Sequence, residues 1–210
     1  MNRYFKPAVF VAGLIPVGRL VWLGFHSQLG ANPIEFITHS TGDWTLIFLL
    51  VTLSITPLRK LSRQYWLIGF RRMFGLFAFF YGCLHLMTYV WLDKFFDVHE
   101  MLHDIAKRKF ITAGMTAFAL MIPLALTSTK WSIRKLGKGW QKLHRLIYLS
   151  AAAGVIHYIW LVKADLKKPL EYAAVLGLLL AYRIAVWIRG HLPSVAKVGT
   201  REKFGTSEAN

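Results

Sequence analysis

A chain of 210 residues that is 55% hydrophobic, with mean hydropathy +0.42, eight Trp and fifteen Phe, carries more apolar surface than a water-soluble domain of that length buries. Its net charge of +16 and pI near 10.2 would suggest nucleic acid in a soluble protein, but the basic residues sit in short clusters between apolar runs, which is a pattern of membrane topology. The single cysteine, Cys83, excludes a disulfide framework or a thiolate metal site within one chain and reads as a small buried apolar residue.

A bilayer core is crossed by about 20 apolar residues in a helix. Six segments approach that length: 7–25, 43–57, 73–92, 110–127, 143–162 and 170–188. The first follows a short basic start and resembles a signal peptide, yet Arg19 interrupts it and more spans follow, so it reads as a retained helix. Pro57, Pro123 and Pro169 lie near segment ends, where a missing backbone donor costs least, whereas Pro16 lies inside the first helix and predicts a kink. The second segment is short and has room to extend upstream.

With the N-terminus placed in the cytoplasm, eighteen Lys and Arg fall on the inner side and seven on the outer, while eight of ten acidic residues fall outside. That asymmetry predicts both termini inside and an even number of spans. The expected fold is therefore all-α, a polytopic bundle of six transmembrane helices over 1–192, followed by a polar tail over 193–210. No internal repeat, flexible linker or low-complexity stretch is visible in the sequence.

Ionisable groups at membrane depth are costly and mark candidate sites. His85 and His157 lie within the third and fifth segments, about 12 and 14 residues from their inner ends, or roughly 18 and 21 Å at 1.5 Å per residue. Two imidazoles from two helices at one level can hold a haem iron axially. His144 lies at the inner mouth of the fifth segment, roughly 20 Å deeper. The matching level on the third helix holds Arg71 and Arg72, which are topology signals in one reading and partners for a propionate in another. A 13-residue separation also rotates His144 about 140° away from the face of His157 on an ideal helix, so spacing leaves one or two haems open.

His99-Glu100-Met101-Leu102-His103 matches H-E-x-x-H, which on a helix can hold zinc with the Glu as general base. As a membrane protease it would need a third ligand from a remote loop, such as His39 or Asp165, and an outer loop of about 17 residues is too small for a cleft. The plainer reading is an interfacial helix with Phe95, Phe96, Met101 and Leu102 toward lipid. His99, 14 residues beyond His85, is a further candidate haem ligand lying outside the span. A transporter or proton path through Arg19 and the histidines would lack the intramembrane carboxylates such relays use.

Several runs resemble one family. Leu84-His85-Leu86, the stretch from Leu136-Gly137-Lys138-Gly139-Trp140 to Gln141-Lys142-Leu143-His144-Arg145, and Ile156-His157-Tyr158-Ile159-Trp160 are similar to MsrQ, also called YedZ. Ile55-Thr56-Pro57-Leu58, Arg71-Arg72 and Ala125-Leu126-Thr127-Ser128-Thr129 fit as well, so the likeness covers nearly the whole chain. The resemblance implies a b-type cytochrome of the ferric-reductase-like transmembrane superfamily in the bacterial inner membrane. It implies electron transfer from the quinone pool, or from a cytoplasmic flavin reductase, to a periplasmic molybdopterin methionine sulfoxide reductase, which repairs oxidised proteins and carries the catalysis itself. The family's histidines map onto His85, His144 and His157, with one or two haem b, and bound FMN rests on the resemblance alone.

Overall fold

The computed structural model describes residues 5–162 and 165–191, in which every regular element is helical. The tail expected over 193–210 lies outside the described residues. Nine α-helices follow in chain order: α1 Phe5–Phe25, α2 Pro33–Ser62, α3 Ile68–Met87, α4 Val98–Lys107, α5 Lys109–Leu126, α6 Lys130–Leu136, α7 Lys138–Leu143, α8 Leu146–Leu161 and α9 Lys167–His191. A π-helical turn, Thr88–Asp93, extends α3. The ends of the bundle are called outer and inner after the charge asymmetry in the sequence.

Five stretches are long and apolar enough to cross a membrane: Phe5–Phe25, Pro33–Ser62, Tyr65–Asp93, Lys109–Leu126 and Lys167–Gly190. The segment expected over 143–162 forms α8, whose 16 residues fall short of that length; its first residues are instead spent on α7 and a turn at His144. Conversely α2 grows to 30 residues in both directions, because Asn32 caps it by accepting the Glu35 N–H, Pro33 occupies its first turn, and Arg63 ends it in the left-handed region. Apolar side chains such as Val11, Ile15, Trp22 and Leu178 point outward, as a bundle solvated by lipid requires.

α2 packs along α3, and α5 along α8, and the two pairs face each other around Leu49, Leu53, Ala78 and Ala151. Small and hydroxyl side chains join helices where no hydrophobic force acts between them. The Ser150 hydroxyl donates to the Ala117 carbonyl, 2.8 Å, tying α8 to α5. Beside Pro16 the buried Tyr81 hydroxyl donates to the Gly13 carbonyl (2.9 Å) and accepts the Val17 N–H (3.2 Å), the two ends of one helical rung. A neighbouring hydroxyl thus satisfies backbone groups that the proline disturbs.

α4 lies across the outer end, held by charges rather than by apolar burial. Asp104, its buried residue, pairs with Lys94 at 2.9 Å and Arg108 at 3.1 Å, and Lys94 also pairs with Glu100. The hydrogen bond from Lys94, helped by the Arg108 charge, holds the Asp104 carboxyl below its ordinary value. A carboxylate lowered in the folded state stabilises it above the ordinary carboxylate range, and that stability is lost as pH falls through the lowered value. The protection of the α4 amides, exchange corrected for its intrinsic pH-dependent rate, should therefore be flat near neutrality and fall steeply below about pH 4. Asp104→Asn should lower that protection at neutral pH, a local loss of about 1.5–3 kcal/mol, because Arg108 loses this carboxylate and Lys94 keeps only Glu100. A pH-independent α4 in both proteins would refute this lock.

Candidate functional site

In the outer half a cavity of about 590 Å³ lies between the two helix pairs, with His85 and His157 among the residues that line it. His85 projects from α3 and its Nδ1 lies 3.0 Å from the Thr38 carbonyl on α2. His157 projects from α8 and its Nδ1 lies 2.6 Å from the Phe110 carbonyl on α5. A carbonyl only accepts, so each Nδ1 carries the proton and each Nε2 keeps its lone pair for a ligand. The two ring centres are 6.0 Å apart, with ring planes at 76°. Two metal–nitrogen bonds of about 2 Å each, plus the depth of both rings, give a separation of that size.

The wall is thinned where the rings lie. A Cβ on Gly114 would come within 2.8 Å of the His157 Nδ1, and one on Gly42 within 3.1 Å of the His85 ring. Each histidine thus lies flat against a glycine one turn beyond the carbonyl that anchors it. Gly82 faces Phe118, and Gly154 faces Leu46, across the gap between the pairs.

These contacts reveal an internal two-fold arrangement that the sequence does not display. Thr38 and Phe110, Gly42 and Gly114, Leu46 and Phe118, Gly82 and Gly154, and His85 and His157 are each 72 residues apart, and each makes the contact its counterpart makes. Of these five pairs only the glycines and histidines keep their identity, so a comparison of residue identities passes over the repeat. The two anchoring bonds each span 47 residues, which no local pattern encodes.

Much of the rest of the lining is apolar, including Leu49, Met115 and Met121, with Glu35, Asp43, Asp93 and Arg108 adding charge to the same cavity; the apolar part suits a flat macrocycle with a central metal between the two imidazoles. His144 lies apart, at the inner end. Its Nδ1 faces the Trp140 carbonyl at 3.2 Å, its ring stacks on Trp140 with centres 3.8 Å apart, and its buried Nε2 has no partner. Burial lowers the pKa of His144, and the nearby Arg71 charge lowers it further. Arg71 is half-buried, while Arg72 is exposed.

His99 and His103 are exposed on α4, and neither lines the cavity. Among the described residues no three His, Cys, Asp or Glu side chains come together to hold a metal, so the H-E-x-x-H motif has no third ligand there, from His39, Asp165 or elsewhere. Sequence reasoning found the two facing histidines but missed the carbonyls of Thr38 and Phe110 and the glycines Gly42 and Gly114 that seat the rings; the Gly-x-x-His spacing shared by 82–85 and 154–157 signals the repeat alone.

Residues 41–155 match the family described as ferric reductase like transmembrane component. A protein-methionine-sulfoxide reductase heme-binding subunit MsrQ from Herminiimonas arsenicoxydans is 56% identical over 182 residues, which is 85% of this chain and 84% of that protein. The proteins of the same name from Bordetella pertussis and Rhodospirillum rubrum are 54% and 51% identical, covering 88% and 92% of this chain and 90% and 95% of theirs. No solved structure matches. With a family match over more than half its length and relatives this similar along most of both chains, the chain belongs to the MsrQ family of ferric-reductase-like membrane proteins.

Proposed function

We propose that the protein is a b-type cytochrome, the electron-transfer subunit of a methionine sulfoxide reductase system, with haem b held between His85 and His157. The observation that carries this reading is the pair of imidazoles facing each other at 6.0 Å in an apolar slot, each anchored through Nδ1. The related proteins named as heme-binding subunits support the same ligand. Haem supplies one-electron carriage. The chain supplies the rest: carbonyls of Thr38 and Phe110 orient the rings and enrich Nε2, glycines let helices approach, and the apolar walls exclude water.

In this reading six spans, α8 included, cross the bacterial inner membrane with both termini in the cytoplasm, supported by the charge asymmetry. Electrons enter at the inner end from the quinone pool or a cytoplasmic flavin reductase, with FMN as a carrier in that step. His144 serves the entry side as the ligand of a second haem, with Arg71 beside it. They leave at the outer end to a periplasmic molybdopterin methionine sulfoxide reductase, where catalysis takes place.

A dithionite-reduced minus oxidised spectrum of the detergent-purified protein, with a pyridine haemochrome assay, tests the reading. Sharp b-type bands with iron are expected; an iron-free, colourless protein purified from haem-replete cells would refute it. His144→Ala should keep the spectrum of the outer site while slowing its reduction from the inner side by about tenfold or more, the effect of losing an intermediate carrier. Unchanged reduction kinetics would remove His144 from the path.

A further inference from the structure

We propose that the inner end of the bundle carries a binding site for an oxyanion, a carboxylate or phosphate ester of a membrane-borne ligand, built by Arg59, Arg71 and Arg183 with the Thr56 hydroxyl. Arg183 reaches from α9 across to α2, where one terminal guanidinium nitrogen donates to the Leu53 carbonyl at 2.9 Å. Its guanidinium lies 4.9 Å from the centre of the Tyr148 ring on α8, which fixes its plane. Its Nε is buried and has no hydrogen-bond partner.

The same condition recurs beside it. Leu53, Thr56 and Arg59 follow one another at three-residue steps, so they share one face of α2, and the Thr56 Oγ1 and Arg59 Nε are likewise buried without partners. Arg71 on α3 stands within electrostatic reach of both His144 and Arg183. Four unsatisfied polar atoms, counting His144 Nε2, are thus gathered at one end of the bundle. The five ion pairs among the described residues all lie at the outer end, and so do the eight described acidic side chains.

A buried guanidinium N–H without an acceptor is unfavourable, and the planar fork of these half-buried arginines matches the two oxygens of a carboxylate or phosphate. The chain offers no such oxygens here among its described residues, so the anion comes from outside the chain. Two sources have the right chemistry. One is the headgroup phosphate of an acidic phospholipid entering beside α9, whose lipid-facing residues are largely exposed. The other is the propionate pair of a haem on His144; only this second source rests on the haem reading above.

The test uses the full chain purified in detergent: wild type, Arg59→Gln, Thr56→Val and the Arg59→Gln/Arg183→Gln double variant. Native mass spectrometry after graded delipidation, with re-addition of phosphatidylglycerol or phosphatidylcholine, counts bound phospholipid, and pyridine haemochrome counts haem per chain. The double variant is expected to lose one ligand several-fold while the outer-site spectrum persists. Loss of retained phosphatidylglycerol with haem unchanged identifies a lipid phosphate; loss of a haem equivalent with lipid unchanged identifies carboxylates. Because Arg183 also braces α9 against Leu53, Arg59→Gln and Thr56→Val, which leave that brace intact, must show a loss of the same ligand. Wild-type lipid and haem retention in those two single variants overturns the site. Loss of the His85 and His157 spectrum in their own variants bears on the outer site and leaves this one standing.

Discussion

His157→Ala, purified from membranes, is expected to lose the outer haem and its reduced b-type bands, and His85→Ala to do the same. In the function proposed above each imidazole is the single ligand its half contributes, and its ring is held by one carbonyl 47 residues away in sequence. Removing a ring leaves an apolar hollow and takes one hydrogen bond from the Phe110 or Thr38 carbonyl, each of which still accepts within its own helix, a local cost of about 1 kcal/mol, small enough for the helices to stay assembled. α5 and α8 remain joined by the Ser150 bond to Ala117, and α1 and α3 by the Tyr81 bridge. The chain should therefore still insert and purify while haem per chain falls at least tenfold at the outer site. Both variants with wild-type haem content and spectrum would show that these histidines are packing residues.

The second large effect is expected from residues without side chains. Gly114→Val should approach the effect of His157→Ala, because its Cβ would lie 2.8 Å from the anchored Nδ1 and the ring would have to leave the Phe110 carbonyl. Overpacking of this kind costs about 1–3 kcal/mol, and a rotated imidazole no longer presents Nε2 to the slot. Gly42→Val should act in the same direction on His85 but less, since the nearest ring atom is 3.1 Å away and can give a few tenths of an ångström. Gly18→Val and Gly177→Val, which would meet nothing within 4 Å, serve as controls and should keep wild-type haem. Haem per chain and the reduced band position read the series. A Gly114→Val protein indistinguishable from its Gly18→Val control would mean that the ring does not depend on that close approach.

Local chemistry determined much of this protein from sequence alone. Apolar run length marked the helices, because a buried backbone in lipid must satisfy itself within each segment. The split of Lys and Arg gave a direction to the bundle, and rise per residue put His85 and His157 at one level, as their ring contact bears out. Boundaries were less legible: the 43–57 segment lengthened into α2 through the Asn32 cap, and 143–162 split at His144. What only the tertiary structure decided was partnership. Pairing of α2 with α3 and of α5 with α8 selects the Thr38 and Phe110 carbonyls from many equivalent ones, turns Gly42 and Gly114 into ring seats, and brings Arg183 to Leu53 across 130 residues. Such choices arise from which faces fit when helices pack, a property of two surfaces together, so no periodicity or spacing within one segment could announce them.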